Sequence, residues 1–199
     1  IIDVIDVERG ELLFRVVANA WPSAAVFRNY LITVSPYYYP ELVPKSCHVV
    51  CIDMNSSSIY RLEILWDWGT FEGECLVDPV IYDGRVYIPL TNGVIYVFNV
   101  TNGSIIDKLN VSSPVYASPA ILNDSVHIGD VLGNVYRISR TGGRACIVFK
   151  AKGSIVGRIL SFDGKLLFFD NLGYIYCFDL RSNRILWLTR LDGKIYDIF

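Results

Sequence analysis

The sequence contains no glutamine, one methionine, two histidines and no long uninterrupted apolar run. Few labile side chains are typical of proteins from hot environments, although eleven asparagines and five cysteines point the other way. Every apolar run is well short of the ~18 residues that a membrane-spanning helix needs, so no such helix is predicted. Basic residues form no stripe and the net charge is −2, which gives nucleic-acid binding no electrostatic support.

What the chain does contain favours a folded β domain. Apolar residues make up 52% of its 199 residues, charged residues make up 19%, and tyrosine and phenylalanine are abundant. The chain starts with Ile1-Ile2-Asp3, which is neither a methionine nor a signal peptide, and residue 1 falls in the middle of a repeat. We therefore expect an excerpt of a longer protein or a processed form.

A motif recurs in which a polar residue follows an alternating apolar strand and precedes a turn. Its anchor residues are separated by 47, 46, 40 and 40 positions, and they are Asp6, Asp53, Asn99, Ser139 and Asp179. No segment shows a sustained helical period, so the repeat is built of strands. A repeat at this spacing determines the architecture of the whole chain.

The unit at residues 153–188 shows the four predicted strands most clearly. They cover residues 155–161, 165–169, 174–179 and 184–189, and we call the four strands of any unit A to D. Asp163-Gly164 forms the A–B turn, since glycine tolerates a positive φ, and residues 171–173 and 181–183 form the other two turns. Asp83-Gly84 and Asn123-Asp124 punctuate two earlier units in the same place.

A four-stranded antiparallel unit of about 40 residues predicts a blade of a β-propeller. The predicted fold is thus an all-β propeller domain over residues 1–199, with a β-sandwich of similar strand count as the rival. The boundaries are a half blade at 1–18, four blades at 19–68, 69–110, 111–150 and 151–191, and the start of another at 192–199. A five-bladed ring is one alternative, and an excerpt of a seven- or eight-bladed ring is favoured.

The anchor motif resembles the quinoprotein (PQQ-like) repeat, whose signature is a small residue, x, Asp, x, x, Thr-Gly, x, x, x, Trp. The matching segments are Ile5 to Phe14, Phe98 to Gly103, Ser139 to Gly142, and Phe178-Asp179-Leu180 followed by Trp187. The resemblance implies a propeller whose tryptophans dock one blade onto the next. Quinoprotein dehydrogenases of that family use an adjacent cysteine pair, a calcium site and a catalytic aspartate. The chain has no Cys-Cys pair and no such acidic cluster, so a non-catalytic member without cofactor or metal is predicted.

Five Asn-x-Ser/Thr sequons predict N-linked glycosylation and an extracellular or cell-surface location. They are Asn55, Asn99, Asn102, Asn110 and Asn123. The alternative is ordinary turn composition, because Asn, Ser and Thr all favour turns. Three of the sequons lie in C–D turns and one in an A–B turn, and these turns share one face of an antiparallel unit. Four of the five are therefore expected on a single face.

The opposite face is predicted to carry the aromatic connections. One connection contains Tyr37, Tyr38 and Tyr39 between prolines, and the segment 66–73 contains Trp66 and Trp68. Aromatic side chains supply large contact area at low entropic cost, so this face is a hypothetical interaction surface. The alternative is that these aromatics fold back to seal the ring, and burial of their side chains within the chain would remove the hypothesis.

The cysteines and histidines predict no catalytic or metal site. Cys47 and Cys51 are too far apart along one strand for a disulfide. A pair between Cys75 and either of them is left open, while most cysteines are expected to be buried and unpaired. The two histidines, His48 and His127, are assigned to ordinary packing. The anchor aspartates and Asp3 are expected to accept backbone hydrogen bonds in turns.

These observations predict a non-catalytic extracellular scaffold or interaction module. It would bind a protein partner or copies of itself, as in a glycosylated surface layer or filament, and half blades at both ends would each complete a neighbour's blade. Two alternatives stay open. One is a segment of a quinoprotein-type oxidoreductase whose PQQ site lies elsewhere. The other is an envelope-assembly scaffold resembling the bacterial outer-membrane assembly propeller lipoprotein.

Overall fold

A computed structural model describes residues 2–5, 8–16, 23–37, 46–55, 63–111 and 113–192. Across these ranges the chain forms twenty β-strands joined by turns, and no helix. No element in them is a helix of the length and apolarity needed to cross a membrane. Sixteen of the strands make four antiparallel four-stranded sheets, which follow one another along the sequence and are called sheets I to IV.

Each sheet is a simple meander in which neighbouring strands in sequence are neighbours in space. Sheet I comprises β3 (Ser23–Phe27), β4 (Tyr30–Tyr37), β5 (Ser46–Asp53) and β6 (Glu63–Glu72). Sheet II comprises β7 (Val80–Tyr82), β8 (Arg85–Pro89), β9 (Val94–Asn99) and β10 (Ile105–Asn110). Sheet III comprises β12 (Ala120–Leu122), β13 (Ser125–Gly129), β14 (Asn134–Ser139) and β15 (Cys146–Lys150). Sheet IV comprises β17 (Leu160–Phe162), β18 (Lys165–Phe169), β19 (Tyr174–Asp179) and β20 (Arg184–Arg190).

Four further strands lie outside these sheets. The first two, β1 (Ile2–Ile5) and β2 (Leu12–Val16), form an antiparallel hairpin. The other two, β11 (Tyr116–Ser118) and β16 (Val156–Arg158), pair in parallel just before sheets III and IV begin. This parallel pair links the entry segments of two successive sheets.

Strand alternation explains why the sheets stack. In β8, Val86 and Ile88 belong to the apolar core shared with sheet I, whereas Tyr87 between them belongs to the core shared with sheet III. Successive side chains point to opposite faces, so an internal sheet supplies one face to each neighbour. A third core lies between sheets III and IV and includes Phe168 and Tyr176. The first strands of successive sheets also contact one another, β3 with β7, β7 with β12 and β12 with β17.

The predicted turns between first and second strands are confirmed. Both residues of Asn123-Asp124 have positive φ, as do Asp83-Gly84 and Asp163-Gly164. Two consecutive positive φ values define the type I′ turn, whose twist suits a two-residue hairpin. The four strands predicted within 153–188 are also present, as β16 and β17 for the first and β18, β19 and β20 for the rest.

Two sequence-based expectations are wrong at the level of single elements. The segment 66–73 was expected to connect two blades, but residues 63–72 form the single ten-residue strand β6, so the boundary predicted at 68 falls inside a strand. Asp3 was expected in a turn but lies within β1, paired with Arg15. The turn role is confirmed for Asp53, which accepts the backbone N–H of Asn55.

Candidate interaction surfaces

Four of the five sequons lie in turns of the kind that the sequence indicated. Asn55 follows β5, Asn99 ends β9, Asn102 lies in the β9–β10 turn and Asn123 lies in the β12–β13 turn. In an antiparallel meander, the turn after the first strand and the turn after the third strand emerge at the same end. We call this end of the sheets the sequon edge. Asn110, at the far end of β10, belongs to the opposite edge.

Contacts between sheets show that the sequon edge is continuous from sheet II to sheet III. Arg140, in the turn after the third strand of sheet III, forms an ion pair of 3.2 Å with Asp83 in the first turn of sheet II. The hydroxyl of Tyr82 donates to the Asp124 carboxylate, which joins the first turns of the same two sheets. The sequons Asn99 and Asn123 therefore lie on one connected surface.

A cleft of about 520 Å³ opens on the sequon edge between sheets I and II. Its lining includes Arg28 of the first turn of sheet I, Arg85 at the start of β8, Asn99 at the end of β9 and Thr101 of the β9–β10 turn. The Asn99 side-chain oxygen accepts hydrogen bonds from the backbone N–H and the hydroxyl of Thr101, at 2.9 and 2.7 Å. Among the described residues its side-chain nitrogen, the atom that carries an N-linked glycan, has no hydrogen-bond partner.

The two tryptophans predicted for an exposed aromatic face lie between sheets I and II. Trp66 is 9% exposed, and its ring lies 6.0 Å from that of Phe98 on β9. Its indole Nε1 donates to the carbonyl of Val100 at 3.0 Å. Trp68 is 38% exposed, and its Nε1 donates to the carbonyl of Gly103. Trp66 thus seals two sheets together, which is the alternative that the sequence left open.

The tyrosines of the same hypothesis lie outside the described side chains. Tyr37 is the last residue of β4, and its backbone pairs with that of Ser46. Tyr38 and Tyr39 fall outside the residues that the structure describes. The aromatic face therefore loses Trp66, and its tyrosine part stays a prediction.

A disulfide joins Cys47 of β5 to Cys75 of the segment that leads into sheet II. Their Cα atoms are 5.2 Å apart, within the usual span of a disulfide. This is one of the two pairs that the sequence left open. The expectation of buried, unpaired cysteines is confirmed for Cys51 and Cys177, whereas Cys146 is unpaired but exposed. Burial, with the nearby Asp53 carboxylate as the smaller cause, raises the pKa of the Cys51 thiol to about 12, so that thiol stays protonated.

A second repeated motif, which the sequence analysis missed, lies in turns at the edge opposite the sequon edge. Asp130 and Asp170 each begin an Asp-x-x-Gly-x-x-Tyr segment, forty residues apart. Asp170 is fully buried and accepts from the backbone N–H groups of Leu172, Tyr174 and Gly153 and from the Tyr176 hydroxyl. The hydroxyl bond is 2.7 Å long, and burial is the main cause that raises the pKa of Tyr176.

The equivalent carboxylate of sheet III has the same role. Asp130 accepts from the backbone and side-chain nitrogens of Asn134 and from the Tyr136 hydroxyl, each at 2.8 Å. Sheet II has Leu90 in the aspartate position, yet Gly93 still donates its N–H to the Leu90 carbonyl, as Gly133 does to that of Asp130. These carboxylates hold turns, and the forty-residue recurrence of Asp, Gly and Tyr was the signal available in the sequence.

The histidines occupy two unrelated environments. His48 Nε2 lies 2.7 Å from an Asp67 carboxylate oxygen on the adjacent strand. His127 is fully buried on β13, and neither ring nitrogen has a hydrogen-bond partner. Burial is the main cause that lowers the pKa of His127 to about 4, with the Arg137 charge adding to it. No three His, Cys, Asp or Glu side chains within the described ranges are grouped so that they could hold a metal ion.

Strand β20 of sheet IV differs from every other strand whose side chains are described, because all seven of its residues are exposed. Trp187 lies opposite Cys177, as Trp66 lies opposite Cys51 in sheet I. Trp187 is 46% exposed against 9% for Trp66. The same register position is thus sealed in one sheet and open to solvent in the other.

No family model matches the chain, and no curated protein matches it in sequence. Solved structures resemble it at low identity, and three of them are described below. The computationally designed Ika4 protein has a TM-score of 0.64 at 13% identity, covering 85% of this chain and 98% of its own. The computationally designed Ika8 protein has a TM-score of 0.66 at 12% identity, covering 98% of this chain and 70% of its own. BamB from Moraxella catarrhalis has a TM-score of 0.62 at 16% identity, covering 91% of this chain and 65% of its own.

The class that these observations define is an all-β protein of consecutive antiparallel four-stranded sheets. The likeness to BamB, a β-propeller protein, supports a β-propeller fold for this chain. At identities this low, the likeness is evidence of the fold alone.

Proposed function

We propose that this chain is a non-catalytic β-propeller of PQQ-like repeats that works outside the cell as a glycosylated scaffold. The observation that carries the proposal is the sequon edge, where Asn55, Asn102 and Asn123 are exposed in turns and Asn99 borders an open cleft. Glycans attached there would project from the ends of the sheets without entering the cores between them. Such a surface tolerates bulky polar additions while the sheets keep their packing.

The scaffold role follows from how the sheets are joined. Three apolar cores, a disulfide and buried aspartate networks fix the four sheets, so the turns are displayed from a rigid body. Binding surfaces of this kind act by holding loops and strand edges in place for a partner. The exposed strand β20 is the part of the described surface that has the largest run of uncovered apolar side chains.

The test is mass spectrometry of the native protein before and after enzymatic removal of N-linked glycans. We expect the intact mass to fall, and peptides with Asn99 and Asn102 to carry sugar before the treatment. A matched control is Asn92, an exposed turn asparagine on the opposite edge that has no sequon. An intact mass that equals the polypeptide mass would contradict glycosylation and the extracellular location with it.

A further inference from the structure

The contact between sheets I and II shows how an outer strand docks on the next sheet. The ring of Trp66 lies on the β9–β10 turn, so closely that a Cβ added at Gly103 would be 2.6 Å from it. Gly103 has a φ of 68° and is the fourth residue after the anchor Asn99. A fourth-strand tryptophan thus packs on a glycine in the third turn of the following sheet.

The interface between sheets II and III has a contact at the same positions, made by polar groups. Asp107 of β10 lies opposite Val97, which is two residues before the anchor, as Cys51 is in sheet I. Its carboxylate accepts the backbone N–H of Gly143 at 3.5 Å, in the third turn of sheet III. The same register position therefore contacts the same turn of the next sheet in both interfaces.

In sheet IV no described residue packs on the same docking position as the β9–β10 turn packs on Trp66. Trp187 lies opposite Cys177, two residues before the anchor Asp179, and is nearly half exposed. On the same face, Cys177 and Phe169 are buried, so the uncovered part is the outer strand itself. Trp66 packs on the turn after the third strand of sheet II, where a glycine follows the anchor residue by four positions. A turn of this kind is what Trp187 would need for the same contact.

The β1–β2 hairpin carries that element. Gly10 follows the anchor Asp6 by four residues and has a φ of 67°, against 68° for Gly103. A Cβ built at Gly10 meets no heavy atom within 4 Å, so the surface above this turn is open. The hairpin turn thus has the backbone form that receives a tryptophan, and none of the described tryptophans lies on it.

The net charges of the two surfaces are opposite. Arg184 and Arg190 bound strand β20, Arg181 precedes it, and all three are exposed. The exposed hairpin turn around Gly10 carries two negative charges, Glu8 and Glu11, and one positive charge, Arg9. Opposite charges around an apolar contact favour encounter and orientation.

We propose that strand β20, centred on Trp187, docks on the Gly10 turn of the β1–β2 hairpin of a second copy of this chain. The inference rests on the proposed scaffold function and gives it a partner. Trp187 is 46% exposed, and no heavy atom lies within 4 Å of a Cβ built at Gly10, so both positions are open to another copy. Because the two surfaces differ, the contact is either reciprocated in a two-fold dimer or repeated head to tail in larger rings or filaments.

The first test is analytical ultracentrifugation of the full chain over a range of concentrations. We expect concentration-dependent assembly, and Trp187→Ala should weaken it about thirtyfold, as for a buried tryptophan anchor. Leu188→Ala is the matched control, since Leu188 is exposed on the same strand but pairs with Tyr176, on the face towards sheet III. A chain that stays monomeric, or equal assembly of the two variants, would overturn the inference.

The hairpin side is tested with Gly10→Ala against Gly164→Ala. Both glycines have positive φ and open space, so both variants carry the same backbone strain, but only the first is expected to weaken assembly. Circular dichroism shows whether each variant folds. Equal assembly of these two variants would also overturn the inference.

The identity of the partner is tested by mixing a Trp187→Cys chain with a Gly10→Cys chain, each with Cys146→Ser to remove the exposed thiol. Oxidation should give a covalent dimer of the two different chains, which only contact between copies produces. Absence of this mixed dimer would rule out the contact between copies. Glycan mass is measured separately, so failure of the self-docking contact is distinguishable from failure of the glycosylated scaffold.

Discussion

Replacement of Gly103 by alanine is the most direct test of how the sheets are joined. The residue has a φ of 68°, and an added Cβ would lie 2.6 Å from the Trp66 ring. A non-glycine residue in this conformation costs about 1 kcal/mol, and forcing a methyl group into a packed contact costs about 1–3 kcal/mol. We therefore expect Gly103→Ala to lower the free energy of unfolding by about 2–4 kcal/mol.

The matched control is Gly84→Ala in the first turn of the same sheet. Gly84 has a φ of 70° and nothing within 4 Å of an added Cβ, so this variant should lose only the backbone part, about 1 kcal/mol. Urea unfolding followed by far-ultraviolet circular dichroism measures both losses without relying on tryptophan fluorescence. The excess loss at Gly103 should shrink when Trp66 is replaced by leucine, as a double-mutant cycle shows.

If Gly103→Ala is no more destabilising than Gly84→Ala, the proposed fit between Trp66 and the β9–β10 turn is wrong. The same result would remove the template for the contact between Trp187 and Gly10. An equal effect of Gly103→Ala with tryptophan or leucine at position 66 would lead to the same conclusion.

Three further predictions concern buried groups. Asp170→Asn should destabilise the fold by about 2–4 kcal/mol in urea unfolding, because an NH₂ group would face donors now bound by the carboxylate, whereas Asp179→Asn, at a half-buried position, should change stability much less. Reduction of Cys47–Cys75, which spans 28 residues, should cost about 3–4 kcal/mol, and a reductant that leaves the thermal midpoint unchanged would contradict this cross-link. The pKa of His127 is near 4 in the folded protein and about 6.5 in the unfolded chain. The free energy of unfolding therefore has its full value above pH 6.5 and falls as the pH drops towards 4, because the unfolded chain binds the proton first. That loss should reach about 3 kcal/mol and be absent in His127→Leu, and identical pH profiles of the two proteins would refute it.

Much of the fold was predictable from sequence because its signals are local. Alternating apolar residues located the strands of sheet IV within a few residues, and Asp-Gly or Asn-Asp pairs located the type I′ turns of sheets II to IV. Sheet I was predicted less well, since β6 reads as an aromatic connection when its partner sheet is not known. Trp66 belongs to a core that two sheets share, and no single stretch of sequence specifies that core.

The features of the candidate surfaces also differ in whether the sequence predicted them. The sequon edge followed from the turn positions, because the direction of a turn is fixed by strand order within one antiparallel sheet. The aspartate networks of Asp130 and Asp170 were readable as a forty-residue recurrence and were missed, because acidic turn residues are common. The exposure of β20 was not predictable, since Trp66 and Trp187 occupy the same place in their repeats and differ only in what covers them.

The sequence by itself determined the strands, the turns and their repetition, since side-chain alternation and positive-φ turn residues act over a few positions. The tertiary structure alone decided that Cys47 joins Cys75, that Trp66 is sealed between sheets and that Trp187 stays open. Each of these depends on which sheet lies against which face. That arrangement is set by packing between residues tens of positions apart, so a local sequence pattern does not predict it.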